Sequence, residues 1–335
     1  MTADEKPAAP LLKVDDLKVH FAAARRRPFA AAATVHAVDG ISFEVARGRT
    51  LGIVGESGSG KTTAALAILR LVPITAGTID LDGVRISALG GEALRQMRRR
   101  VQFVFQDPFS SLNPRQRAGA IVREPLDLMG IGSPAERERE VAALFRAVGL
   151  RPEQQALFPH QFSGGQRQRI GIARAIASRP DLVVCDEPVS ALDVAIQAQI
   201  LNLLTRLQQT LGLTYVFISH DLGVVRHMCD EIAVLYLGRI VERAARASFF
   251  RRPLHPYSAA LLSAIPGAGL GRMRLEGDPP SPINLPPGCR FAGRCPFAID
   301  ACRQSDPPLR AVADGHLVAC HRVDDEGTPP HHAGV

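Results

Sequence analysis

Long apolar runs are missing from this chain. No stretch of its 335 residues approaches eighteen consecutive apolar positions, and a helix needs about twenty to cross a bilayer. Any work at a membrane would therefore require docking on other chains that do the spanning. The start, Met1 to Pro10, is polar and contains proline, with no apolar core. No secretory signal is visible, so a cytoplasmic setting is expected. Aromatic residues make up only 5% of the chain. None interleaves with the short basic runs Arg25-Arg26-Arg27 and Arg98-Arg99-Arg100, as a base-stacking surface would need. The net charge of +7 is read as a solvated arginine-rich surface, and no nucleic-acid partner is expected. Heptad runs, internal repeats and a second phosphate-binding loop are absent too.

What is present is organised around Gly55-Glu56-Ser57-Gly58-Ser59-Gly60-Lys61-Thr62-Thr63. This stretch fits the phosphate-binding pattern G-x-x-x-x-G-K-[ST]. Thr50 to Val54 before it reads as a buried strand, and Thr63 to Arg70 after it as a leucine-striped helix. Glycines let successive N–H groups turn toward a phosphate, and the helix N-terminus adds positive potential. Lys61 can reach the β- and γ-phosphates of ATP, and the Thr62 hydroxyl can ligate a bridging magnesium ion. Downstream, Leu182 to Asp186 is an apolar strand ending in an acid, followed by Glu187 and Pro188. Asp186 can hold magnesium, and Glu187 can polarise a water for attack on the γ-phosphate.

The remaining pattern is α/β, with a mostly parallel central sheet expected. An edge strand is expected over 11–21, a flexible insertion over 22–34, and strands over 41–45, 78–83, 101–105, 214–218 and 232–237. Helices are expected over 134–150, 168–178 and 195–211. From about residue 251 proline becomes frequent and periodicity fades, which suggests an extension closing in a polar tail. Of six cysteines, Cys185 and Cys229 read as small core residues. Cys289, Cys295, Cys302 and Cys320 crowd the last fifth of the chain, with five, six and seventeen residues between neighbours. In a reducing compartment such crowding suggests a metal more than disulfides.

Phe162-Ser163-Gly164-Gly165-Gln166 then brings the chain close to the ATP-binding-cassette family. Ser163 to Gln166 resembles that family's signature motif, with Phe162 where leucine is commoner. The resemblance implies a P-loop fold with a RecA-like core, an antiparallel β subdomain and a helical signature subdomain. It also implies a head-to-tail dimer in which the signature of one subunit closes over ATP held by the phosphate loop of the other. On this resemblance Gly55, Ser57, Gly58, Ser59, Gly60, Lys61, Thr62 and Thr63 bind the phosphates, facing Ser163, Gly164, Gly165, Gln166 and Asp193 of the opposite subunit. Gln106 senses magnesium, which Thr62 and Asp186 also ligate, and His220 is the switch histidine that orients Glu187. The family stacks an aromatic residue on adenine. Phe21 ends the matching strand, and His36 is the alternative because the insertion blurs the spacing.

Arg252-Pro253-Leu254-His255-Pro256-Tyr257 resembles the extension of oligopeptide and dipeptide importer ATPases. The implied plan is a nucleotide-binding domain over 11–250, the extension with four cysteines over 251–322, and a tail over 323–335. Its His-Pro-Tyr stretch is expected to dock and pack, not to catalyse. Related importer ATPases carry a similar cysteine set associated with a 4Fe–4S cluster. All-cysteine ligation also suits zinc, and four reduced thiols or two disulfides need no metal. The cysteine segment is expected to lie apart from the ATP residues, so that losing a ligand leaves ATP affinity nearly unchanged. The implied function is an ATPase subunit powering a peptide importer at the cytoplasmic face of the inner membrane. Its implied partners are a second, different ATPase chain, two transmembrane permeases and, indirectly, an extracytoplasmic binding protein. The alternative is a soluble cassette ATPase acting on nucleic acid or ribosomes. Such proteins usually carry two cassettes or a long coiled coil, and this chain has neither.

Overall fold

The computed structural model describes residues 9–23, 33–107, 109, 111–265, 273, 275–312 and 315–330. Most of the expected insertion over 22–34 and the end of the tail lie outside the described residues. In chain order the strands are β1 (Leu12–Ala22), β2 (Thr34–Val45), β3 (Thr50–Val54), β4 (Ala76–Leu81), β5 (Val84–Arg85) and β6 (Val101–Val104). They continue as β7 (Leu182–Asp186), β8 (Thr214–Ile218), β9 (Glu231–Tyr236), β10 (Arg239–Ala245), β11 (Arg310–Ala311) and β12 (Leu317–Val318). The helices are α1 (Lys61–Ile68), α2 (Gly91–Arg100), α3 (Ala118–Leu128), α4 (Pro134–Ala147) and α5 (Gly164–Ile176). After them come α6 (Val194–Leu211), α7 (Leu222–Met228), α8 (Arg246–Arg251), α9 (Pro256–Ser263) and α10 (Asp300–Gln304).

The contacts divide the chain into two units. One holds the chain through Leu12, Glu44–Thr50 and Asp80–Ile218. Its strands β6, β7 and β8 run parallel, with Val101 beside Leu182 and Leu182 beside Thr214. Every residue of β7 and β8 is buried, as expected for parallel strands covered on both faces. Helix α4 starts at a capping box in which Ser133 and Glu136 bond each other's backbone N–H. Helix α6 starts at the Asp193 cap, ends at Gly212, and buries Ile200, Leu203, Leu204 and Leu207, a stripe at i, i+3, i+4 and i+7. The Arg98–Arg100 run contributes to an ion-pair network: Arg100 and Arg47 both bridge Asp82 and Asp181.

The other unit holds Lys13–Phe43, Leu51–Ile79 and Ser219 to the end. Strands β2, β1 and β4 are neighbours in that order. The expected edge strand β1 is therefore flanked on both sides. Its side-chain alternation reports which face is buried, but not which backbone edges are paired. In a second sheet β3 pairs parallel with β9, β9 antiparallel with β10, and β10 antiparallel with β12. Glu242 and Arg243 of β10 sit beside Val318 and Leu317, which ties the end of the chain to the body of this unit. The extension also has a small core of its own, with Leu254, Val318, Cys320 and Val323 buried against one another.

Candidate functional site

The phosphate loop joins β3 to α1. Gly60 caps the helix at φ 103 and offers no side chain to cap it. A Cβ on Gly60 would lie 2.1 Å from the Ala37 carbonyl, so both the backbone angle and the close approach require glycine. The N-terminus of a helix, with its N–H groups and positive end, can seat an anion. Lys61 is buried, and its Nζ donates to the Gly55 and Glu56 carbonyls at 2.8 Å each. Ser59 is buried too, and its Oγ has no hydrogen-bond partner. Thr62 is exposed and Thr63 half-buried. A lysine seated on the loop itself, with a buried hydroxyl to spare, fits a loop built to take a phosphate chain.

In the other unit, Asp186 is buried at the tip of β7. Glu187 follows at φ 45, a left-handed backbone rare for a residue with a side chain and costly to maintain. Its N–H donates to the Ile218 carbonyl at 2.9 Å, and Gln106 Nε2 donates to its Oε2 at 2.9 Å. Ser190 donates through both backbone and hydroxyl to the Glu187 carbonyl. The expected base and the expected magnesium-sensing glutamine are thus brought together. His220 is exposed two residues beyond β8.

Ser163 caps α5, accepting from the Gln166 N–H at 3.3 Å while Gln166 Oε1 accepts from the Ser163 N–H. The Ser163 hydroxyl keeps its own proton to donate. A Cβ on Gly165 would lie 2.5 Å from Ile196 of α6, so glycine is needed there for helix packing as well as for an anion. Asp193 accepts from the Ile196 N–H at 2.9 Å, which gives it a capping duty beside its expected place in the facing site. Phe21 is half-buried near the end of β1. His36 forms an edge-on pair with His20.

The His-Pro-Tyr stretch turns out to be a packing element. Glu242 is fully buried and accepts from the Leu254 and His255 N–H groups and from His316 Nε2, at 2.7 to 2.8 Å. His255 Nδ1 caps α9 by accepting from the Tyr257 N–H. The Tyr257 hydroxyl accepts from the Glu56 N–H at 2.8 Å, inside the phosphate loop. Tyr257, Tyr236 and Phe291 pack as an aromatic cluster, with ring centroids 4.7 to 5.5 Å apart. Three residues past Phe291, the Arg294 guanidinium grips both Glu56 carboxylate oxygens, at 2.8 and 3.1 Å. This overturns the expectation that the cysteine segment lies apart from the ATP residues. The segment reaches the phosphate loop because Phe291 and Arg294 project from one short turn, closed by bonds from Ala292 to Cys289 and from Arg294 to Phe291.

Nearby, Arg290 bonds Asp39 and the Leu237 carbonyl. Burial would raise the Asp39 carboxyl, but hydrogen bonds from Arg290 and His20 outweigh it and hold its pKa at about 2. Among the described residues, His20, His36 and Asp39 form the one group of three ligating side chains within 4.8 Å of one another. Asp39 there is already engaged by Arg290. Sequence reasoning missed Glu242, Arg290 and Arg294 as site supports. The only available signal was that Arg290 and Arg294 flank the turn between Cys289 and Cys295.

The comparisons agree with this geometry. Residues 38–190 match the ABC transporter family model. Residues 241–302 match the model for the C-terminal region of oligopeptide/dipeptide transporters. A putative peptide import ATP-binding protein of Brucella ovis is 52% identical over 317 residues, 93% of this chain and 98% of that protein. A putative oligopeptide transport ATP-binding protein of Bacillus subtilis is 46% identical over 93% of this chain and 95% of its own length. Among solved structures, a dimeric ATP-binding cassette in a post-hydrolysis state, bound to ADP and phosphate, overlays with a TM-score of 0.62. It is 28% identical and covers 70% of this chain and 98% of that one. CbiO1 from Clostridium perfringens, part of an ABC transporter complex, also overlays at 0.62, with 25% identity over 72% of this chain and 91% of that one.

Proposed function

This chain belongs to the ABC transporter family, and from that membership we propose that it is the ATP-hydrolysing subunit of a membrane importer for peptides. The observation that carries the reading is the match of residues 241–302 to the oligopeptide/dipeptide transporter extension, on a chain that also carries a glycine loop leading into the helix that begins at Lys61. Residues 11–250 serve as the nucleotide-binding domain, 251–322 as the transporter-specific extension and 323–335 as its tail. Lys61 and the loop from Gly55 to Thr63 hold the phosphates. Thr62, Gln106 and Asp186 offer the oxygen ligands magnesium prefers. Glu187 polarises the attacking water, His220 contacts the γ-phosphate and orients Glu187, and Phe21 stacks on adenine. Ser163 to Gln166 and Asp193 complete the site of a second ATPase subunit, a different chain. Binding of ATP closes the pair and hydrolysis reopens it.

The pair works on two permeases at the cytoplasmic face of the inner membrane, supplied by an extracytoplasmic binding protein. Among the described residues no helix is long and apolar enough to span a bilayer, which agrees with a subunit that docks.

Cys289, Cys295, Cys302 and Cys320 would hold a 4Fe–4S cluster. Burial pushes the Cys289 thiol up to about 12 and Cys295 up to about 11, and both feel Cys302 and Cys320 as neighbours. No three of these sulfurs fall within 4.8 Å of one another among the described residues. A cluster held there would supply folding free energy to a segment with a small core. The function is tested by co-expressing the chain with its membrane subunits and second ATPase in vesicles. Peptide-dependent ATP hydrolysis is expected; an assembly indifferent to peptides overturns the cargo class.

A further inference from the structure

Glu56 is the second residue of the phosphate loop, and it is held from two directions by residues of the C-terminal extension. Its N–H donates to the Tyr257 hydroxyl at 2.8 Å. Its carboxylate takes a two-pronged grip from Arg294. Arg294 is 9% exposed, and its guanidinium also reaches the Tyr236 hydroxyl. Charge-assisted, bidentate pairs away from water are the strong class of hydrogen bond. The Glu56 carbonyl in turn receives the Lys61 ammonium at 2.8 Å. A shift of Glu56 therefore moves the seat of the lysine that meets the phosphates. Arg294 sits directly before Cys295 and in the same turn as Cys289, so whatever orders that turn also orders the grip.

We propose that Arg294 and Tyr257 are positioning residues for the phosphate loop, and that through them the four-cysteine segment sets the affinity for MgATP. This rests on the ATP-binding reading above. Cargo-side subunits and the hydrolytic residues play no part in it. The segment acts as an intramolecular strut: when its turn is ordered, Glu56 and the Lys61 seat are fixed in advance of the nucleotide, and binding bears less ordering cost. When the turn loosens, the loop must be ordered at the moment of binding and affinity falls, while the groups that act on the bound nucleotide stay unchanged.

The test is a MgATP titration and a steady-state ATPase assay on the full-length chain in its assembled complex. Arg294→Gln should weaken MgATP binding by about tenfold or more, the cost of a charged bidentate pair. The KM should rise in step while kcat stays within about twofold, since only loop ordering is lost. Arg294→Lys, which keeps the charge but not the fork, should fall between wild type and Arg294→Gln. Glu56→Gln should weaken binding similarly, and the double variant should be no worse than either single one, because both remove the same interaction. Tyr257→Phe keeps the ring packing and should cost several-fold on its own. It serves as the independent arm if Arg294→Gln proves unstable. Cys295→Ser should lower affinity in wild type and have no further effect on Arg294→Gln. Wild-type affinity in both Arg294→Gln and Tyr257→Phe overturns the positioning role. So does full additivity of Glu56→Gln with Arg294→Gln. Cys295→Ser with unchanged affinity overturns the link to the cysteine segment. A wild-type complex that binds no MgATP would instead refute the ATP-binding reading.

Discussion

Glu187 keeps a left-handed backbone directly before Pro188, and its carboxylate accepts from Gln106. Strain of this kind persists only where its surroundings enforce it, and it clusters at reacting sites. Glu187→Gln is expected to keep ATP binding and slow hydrolysis by ~100-fold or more, because the base is lost and the magnesium ligands are kept. A single-turnover assay on the assembled transporter checks this; near wild-type turnover would remove Glu187 from its role. Asp39 yields a pH signature instead. Its carboxyl titrates near 3.8 when unperturbed and at about 2 in the fold. A depressed folded-state pKa stabilises the protein while the group is ionised, and that contribution fades as pH drops from about 4 through 2. Asp39→Asn should therefore cost on the order of 2 kcal/mol at neutral pH and progressively less in acid. Urea unfolding of both proteins at pH 7 and pH 2.5 decides it, and an equal deficit at the two pH values would count against the linkage. Roles such as these were legible for Glu187 and Lys61, because a strand tip and a glycine loop leave local patterns. Asp39 and Arg290 were not legible, since 251 positions separate them and no local rule pairs them.

Helix termini carry much of the chemistry at the scale of elements. Helix α1 opens on Gly60, and α5 on the Ser163 capping box. Gly60→Ala forces a Cβ to within 2.1 Å of the Ala37 carbonyl. It should lower both thermal stability and ATP affinity, as differential scanning and nucleotide titration would report; a variant matching wild type in both would show that the loop can relax. Ser163→Arg should leave ATP binding by its own phosphate loop intact and block hydrolysis in the assembled pair. The same defect in an isolated subunit would argue against a shared site. Most elements flanking these termini could be read in advance. Strands β7 and β8 are continuous apolar runs, and α6 carries a clean helical stripe. Helix α3 could not, with Pro125 inside it, nor could the short α7 to α10, whose lengths give periodicity too few turns to show. The pairing of β1 on both edges was hidden for a different reason: hydrogen bonding along a strand leaves no mark in its side chains.

At the scale of the whole molecule, the extension proves to be less an appendage than the sequence suggests. Proline-rich and weakly periodic, it reads as a coreless tail, yet it buries Phe291 and Leu254 and returns β12 to β10. Protein purified without oxygen is expected to contain iron and sulfide in roughly 4:4 ratio, lost with Cys295→Ser. Zinc alone in elemental analysis would refute the iron reading, and an ordered segment with no metal would refute both. The Arg294 grip on Glu56 has a further consequence, in the time over which the chain is made. The two residues are 238 positions apart. At roughly 5–20 residues per second of synthesis, the phosphate loop leaves the ribosome some tens of seconds before its strut exists. A nascent chain thus carries its glycines and lysine early but receives the brace on Glu56 only near completion. Unassembled fragments ending before residue 290 should therefore bind ATP weakly.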